Sequence, residues 1–103
     1  MNLKGTLPPL ILQALEAGPN HGYRIAKDIK QKSKGVLDFK EGTLYPALHD
    51  LENKGFLRSF EQTENGRLRI YYRLTDKGRK ELARARKEWR SLSTAVTLIL
   101  EGA

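Results

Sequence analysis

The chain has 103 residues, 39% of them apolar, with 19 Lys plus Arg against 12 Asp plus Glu for a net charge of +7, so one small basic globular domain is expected. The absence of cysteine excludes a disulfide framework and a thiolate zinc site and favours a reducing, cytoplasmic setting. The apolar stretch Leu7 to Leu15 is too short and proline-laden for a spanning helix, so no membrane anchor is expected, and the excess of cations favours a polyanionic partner.

Leu7-Pro8-Pro9 opens an apolar run in which proline falls in the first turn, where its missing N–H costs little, and Gly18-Pro19 stops it. Helix one is expected over Leu7 to Ala17. Asn20 is the expected cap of helix two, with Ile25, Ala26 and Ile29 on one face and Arg24, Lys27, Asp28, Lys30 and Lys32 around the other. After a connector, Gly35 to Phe39, Leu44, Leu48 and Leu51 recur at i, i+4 and i+7 until Lys54-Gly55. This is helix three. Pro46 lies inside it, so the helix is expected to start at Thr43, as N-cap, leaving Pro46 in the first turn.

Phe56 to Glu61 and Leu68 to Leu74 read as strands joined by Thr63 to Arg67, where Asn65-Gly66 supplies the positive φ angles of a tight hairpin. Strict alternation puts Leu68, Ile70, Tyr72 and Leu74 on an expected core face and Arg67, Arg69, Tyr71 and Arg73 on a cationic one. From Thr75, a good N-cap, no proline intervenes before Leu100, and Leu82, Ala85, Trp89, Leu92, Val96 and Ile99 follow spacings of 3, 4, 3, 4 and 3. Such a helix runs roughly 39 Å, more than a three-helix body can cover, so its far half is expected to pack against a second subunit. Only Met1 to Lys4 and Glu101 to Ala103 are expected to fray.

The order of helix, helix, helix, two-stranded hairpin and long helix is that of a winged helix-turn-helix domain, mainly α with a two-stranded β wing. Residues 1–74 would form the DNA-binding domain and 75–103 the dimerisation helix of one structural unit. Particular residues narrow the family. His21-Gly22-Tyr23 opens helix two and Gly42-Thr43-Leu44-Tyr45-Pro46-Ala47-Leu48 opens helix three. Leu51-Glu52-x-x-Gly55 closes that helix, and Gly66-Arg67-x-Arg69-x-Tyr71-Tyr72-x-Leu74-Thr75 crosses the wing. From about Leu3 to Leu82 the chain closely resembles the PadR-like family of bacterial transcriptional regulators. The resemblance implies a homodimeric DNA-binding repressor of an inverted-repeat operator, whose C-terminal helix forms the dimer interface and, in some members, helps build an effector pocket. Leu68 and Ile70 depart from the family's usual Pro and Lys, and Arg24 from a frequent acidic residue. A single helix after the wing resembles the short members.

Thr43, Tyr45 and His49 near the start of helix three are candidate DNA contacts, since hydroxyls and an imidazole reach phosphates or base edges and a helix N-terminus favours a phosphate. Capping is an equal role for Thr43, and packing with its hydroxyl at the surface is the stronger role for Tyr45. Arg24, Lys40, Arg67, Arg69, Tyr71 and Arg73 complete the candidate DNA face. A wing of arginines also reads as a solvated, edge-protecting strand, but three on one short face of a basic chain favour phosphate binding. Lys77, Arg79, Lys80, Arg84, Arg86, Lys87 and Arg90 decorate the solvated side of the last helix.

Leu82, Ala85, Trp89, Leu92, Val96 and Ile99 form the candidate dimer interface. Mid-seam Trp89 fills the junction with helix one in the favoured reading, or lines a slot at the dimer axis for a planar aromatic effector. His21 and His49 are the only histidines, no His/Cys cluster or paired carboxylates stand out, and no Gly-rich phosphate cradle follows a strand. Neither enzymatic activity, metal nor cofactor is therefore expected. An adaptor for an acidic protein partner and an RNA binder are the competing readings, and both differ in lacking preference for palindromic duplex.

Overall fold

Helix α1 (Leu7–Ala14) carries Pro8 and Pro9 in its first turn and follows a 3-10 turn over Leu3–Thr6 in the computed structural model, which describes residues 3–102. It ends before the expected Ala17. The Leu15 amide is shared between the Ile11 and Leu12 carbonyls at 3.2 Å each, and Gly18-Pro19 then redirects the chain into β1 (Asn20–His21). The sheet thus gains a strand beyond the expected hairpin. It is antiparallel in the order β1-β3-β2, with Asn20 opposite Tyr72 and His21 opposite Tyr71. Two residues between a proline and a helix are too few to show an alternation.

Helix α2 (Gly22–Lys32) is capped by His21, whose Nδ1 accepts the Arg24 amide at 3.3 Å. Asn20, the expected cap, instead accepts the His21 amide at 3.0 Å. At the far end the Lys34 and Gly35 amides return to Gln31 and Lys30 at 3.1 and 2.8 Å.

Helix α3 (Glu41–Asn53) also starts earlier than expected. Lys40, not Thr43, is its N-cap, and the Thr43 and Leu44 amides donate to the Lys40 carbonyl at 3.0 and 2.9 Å. Glu41 in the first turn suits the positive end of the helix dipole. Pro46 consequently lies in the second turn, and the carbonyl it cannot serve belongs to exposed Gly42, where water can take its place. Gly55 (φ 82°) and Phe56 close the helix onto Glu52 and Leu51.

Strands β2 (Leu57–Glu64) and β3 (Arg67–Leu74) meet in a two-residue turn with Asn65 at φ 51° and Gly66 at φ 74°, which pairs Glu64 with Arg67. The expected core face of β3 holds only at its base. Tyr72 and Leu74 are buried, whereas Leu68 and Ile70 are 61% and 45% exposed, because the hairpin runs out beyond the helices that could cover it. Leu7, Ile11, Leu12 and Leu15 of the first segment, Ile25 and Ile29, Leu44, Leu48 and Leu51, and Leu57 complete the core with Leu82.

Helix α4 (Asp76–Leu100) begins where expected. The Thr75 hydroxyl accepts the Gly78 amide at 3.0 Å and donates to the Gly55 carbonyl at 2.6 Å, stitching its start to the end of α3. Only Gly78 and Leu82 of α4 are buried, and the helix projects from the body. The radius of gyration is accordingly 15.0 Å, against about 13 Å for a compact chain of this length. Of the ends expected to fray, Met1, Asn2 and Ala103 lie outside the described residues, Leu3 and Lys4 belong to the 3-10 turn, and Glu101 caps α4. Among the described residues no helix is long and apolar enough to cross a membrane.

Candidate nucleic-acid interface

Helix α2 turns Tyr23, Arg24 and Lys27 outward because Ile25 and Ile29 on its other side are taken by the core. Its first turn lies tight against α3. A Cβ at Gly22 would stand 2.9 Å from the ring edge and hydroxyl oxygen of Tyr45, so glycine makes room for the aromatic ring. Tyr45 is therefore half-buried packing, as the stronger sequence reading had it. Thr43 is half-buried within the first turn, while His49, nearly two turns further on, is exposed. Between α2 and the start of α3 runs a groove of about 650 Å³ in which Asp38 holds Lys30 at 3.5 Å and Lys40 at 3.6 Å.

The wing is organised by a residue that sequence reasoning passed over. Glu64 Oε2 accepts the Tyr71 hydroxyl at 2.9 Å and lies 3.5 Å from Arg69 Nε and 3.7 Å from His21 Nε2. The hydrogen bond to Glu64 raises the Tyr71 pKa. His21 is buried, which together with the neighbouring Arg69 holds its pKa below the usual imidazole value. Arg69 and Tyr71 are thus half-buried and engaged, while Arg67 and Arg73 are exposed. The signal for Glu64 was available in its place beside the Asn65-Gly66 turn, which sets it across the hairpin from Arg67 and diagonal to Arg69.

Arg24, Lys27, Arg67 and Arg73 make no ion pair among the described residues. The solvated side of α4 differs only in part, since Arg79, Lys80, Lys87 and Arg90 also make no ion pair among the described residues. There Arg84 binds Glu81 at 2.7 Å and Glu88 at 2.5 Å. Among the described residues no group of three or more His, Cys, Asp or Glu could hold a metal ion.

The heptad seam divides in two. Leu82 is buried in the chain's own core and Ala85 is half-buried, so the near end is already covered. Arg86 fills the junction with α1 expected for Trp89, bonding Glu16 at 2.9 and 3.0 Å and also Gln13. Trp89, Leu92, Val96 and Ile99 are 50%, 54%, 40% and 80% exposed.

The sequence matches the transcriptional regulator PadR-like family over residues 11–84. It is 37% identical over 76 residues to the transcriptional regulator Rv3488 of Mycobacterium tuberculosis, covering 74% of this chain and 58% of that protein. The fold is similar to that of a transcriptional regulator from Clostridium thermocellum, with a TM-score of 0.85, 33% identity and coverage of 92% and 93% of the two chains. It is also similar to Bacillus subtilis PadR in complex with operator DNA, with a TM-score of 0.69 and 29% identity over 76% of this chain and 45% of that one.

Proposed function

Because the chain belongs to the PadR-like family of transcriptional regulators, we propose that it binds duplex DNA as a homodimer and represses transcription from an inverted-repeat operator in the cytoplasm. The observation that supports the DNA reading is the set of exposed cations, Arg24, Lys27, Arg67 and Arg73, that have no ion pair among the described residues and lie on α2 and the wing beside the opening turns of α3. Unpaired guanidinium and ammonium groups gain free energy by releasing counterions from phosphates. The operator complex of the Bacillus subtilis relative supports the same partner.

In this reading α3 enters the major groove and offers Thr43 and His49 to base edges or phosphates, with the Tyr45 hydroxyl at its margin. Lys40 and Arg24 hold phosphates beside it, and Arg67 and Arg73 hold them along the wing. Arg69 and Tyr71 shape the wing through Glu64. Residues 1–74 form the DNA-reading part and 75–103 the dimerisation helix. Dimerisation is supported by the exposed apolar stripe from Trp89 to Ile99, which a two-fold partner would cover with its own copy. Half-exposed Trp89 would then line a slot at the two-fold axis that accepts a planar aromatic effector.

Selection of bound duplexes from a random pool tests the reading. Enrichment of two-fold symmetric sites, with log K falling by about 0.9 per phosphate neutralised for each unit of log salt, is the expected result. Equal affinity for selected and random duplexes, or a flat salt response, contradicts it.

A further inference from the structure

Helix α2 and the wing face each other across a cleft of about 450 Å³. Arg24 and Lys27 stand on the α2 wall, one helical turn apart, and Arg67 and Arg69 on the wing wall, with Glu64 between them. One carboxylate thus meets four cations, and it is already engaged: Tyr71 donates to it at 2.9 Å and Arg69 lies 3.5 Å away. The other three cations are left without a carboxylate from the described part of the chain. Cations lining one cleft from two walls suit a tetrahedral anion with several oxygens, since each cation can hold a different oxygen.

Resting on the DNA-binding reading, we propose that this cleft seats a single backbone phosphate of the bound duplex, held jointly by Arg24 and Lys27 from α2 and Arg67 from the wing. Glu64 is the fixed counter-charge and a positioning residue. By keeping Arg69 and Tyr71 to itself it holds the wing wall upright, and its contact with buried His21 ties that wall to the strand that leads into α2. The cleft therefore fixes the angle between wing and α2 by the same phosphate that it binds. Helix and wing engage the duplex as one unit rather than as two independent basic patches. Lys27, on the polar side of α2, becomes a DNA contact.

Duplexes selected from a random pool, each with one phosphate replaced by a neutral methylphosphonate, test this by fluorescence anisotropy with wild type, Arg24→Gln, Lys27→Gln and Arg67→Gln. All three substituted side chains are exposed and stay polar, and circular dichroism melts verify that the variants are folded. One linkage should exist at which neutralisation weakens wild type about tenfold and at which all three variants lose most of their own deficit. The salt slope of Arg24→Gln with Arg67→Gln combined should be smaller by about one phosphate, not two. Arginines that map to different linkages, or slopes that fall by about two, overturn the shared phosphate while leaving DNA binding intact. Wild type that binds no duplex overturns the DNA-binding reading along with it.

Discussion

The ring of Tyr45 on α3 covers the backbone of Gly22 on α2, at a place where a Cβ would come within 2.9 Å of it. A second close approach joins Gly78 at the start of α4 to the Phe56 carbonyl oxygen, and there the obstructing atom is backbone. The difference sets a prediction. Gly22→Ala can be accommodated by turning the Tyr45 ring outward and should cost about 1 kcal/mol, whereas Gly78→Ala must move the chain and should cost roughly 2–4 kcal/mol. Urea denaturation of the two variants checks the ranking, and equal losses would contradict it.

His21 gives the fold a pH dependence. Burial, and next the Arg69 charge, lower its pKa from 6.5. The cap on α2 also needs an unprotonated Nδ1 to accept the Arg24 amide. Just below pH 6.5 the folded chain therefore binds fewer protons at this residue than the unfolded chain. Its contribution to stability is complete above that pH and is lost as pH falls through it toward the lower folded pKa. His21→Asn, which can cap but does not titrate, should flatten the stability profile between about pH 7.5 and pH 5.5. An identical profile for wild type and variant would contradict the assignment.

Much of this was legible in the chain. The helices, the Asn65-Gly66 turn and the Thr75 cap are each fixed by local chemistry, and the family-like stretches lie on those elements. What local chemistry could not show was where the body ends. Leu68 and Ile70 keep the alternation of a half-buried strand although the hairpin has outrun its covering helices. Thr43 looks like a cap, but an extended Lys40 and an acidic Glu41 start α3 sooner. Trp89 looks like the natural filler of the α1 junction, yet the pairing of Arg86 with Glu16 and Gln13 occupies it. The misses have different causes: missing tertiary cover at Leu68 and Ile70, a competing local start at Lys40, and a tertiary ion pair at Arg86.

The wing arginines should separate by function. Arg67→Ala removes an exposed cation and should weaken binding to all duplexes while reducing the salt slope by about one. Arg69→Ala removes a partner of Glu64, so it should change the slope less and should speed hydrogen exchange of the wing amides around Glu64. Indistinguishable slopes and exchange rates for the two variants would remove the distinction.

Trp89 offers an optical test of both dimer and effector. Half-exposed in one chain, it should shift its emission to the blue as the protein concentration rises and a partner covers it. A planar aromatic cation or phenolic acid that enters the slot should quench that emission and lower affinity for the selected duplex, provided that it binds the DNA-free arrangement more tightly. Emission unaffected by every such compound, with unchanged duplex affinity, leaves Trp89 a purely structural residue.

In the proposed function a two-fold dimer built on the outer half of α4 reads a two-fold site. Sedimentation equilibrium of the chain with a selected duplex measures it directly, with Val96→Glu as the partner experiment, since a charge buried in that seam costs several kcal/mol. Two chains per inverted repeat are expected for the wild type, with a dimer in the absence of DNA, and a monomer with weakened duplex binding for Val96→Glu. A single chain per duplex, or a Val96→Glu variant that remains a dimer and binds as wild type, would contradict it.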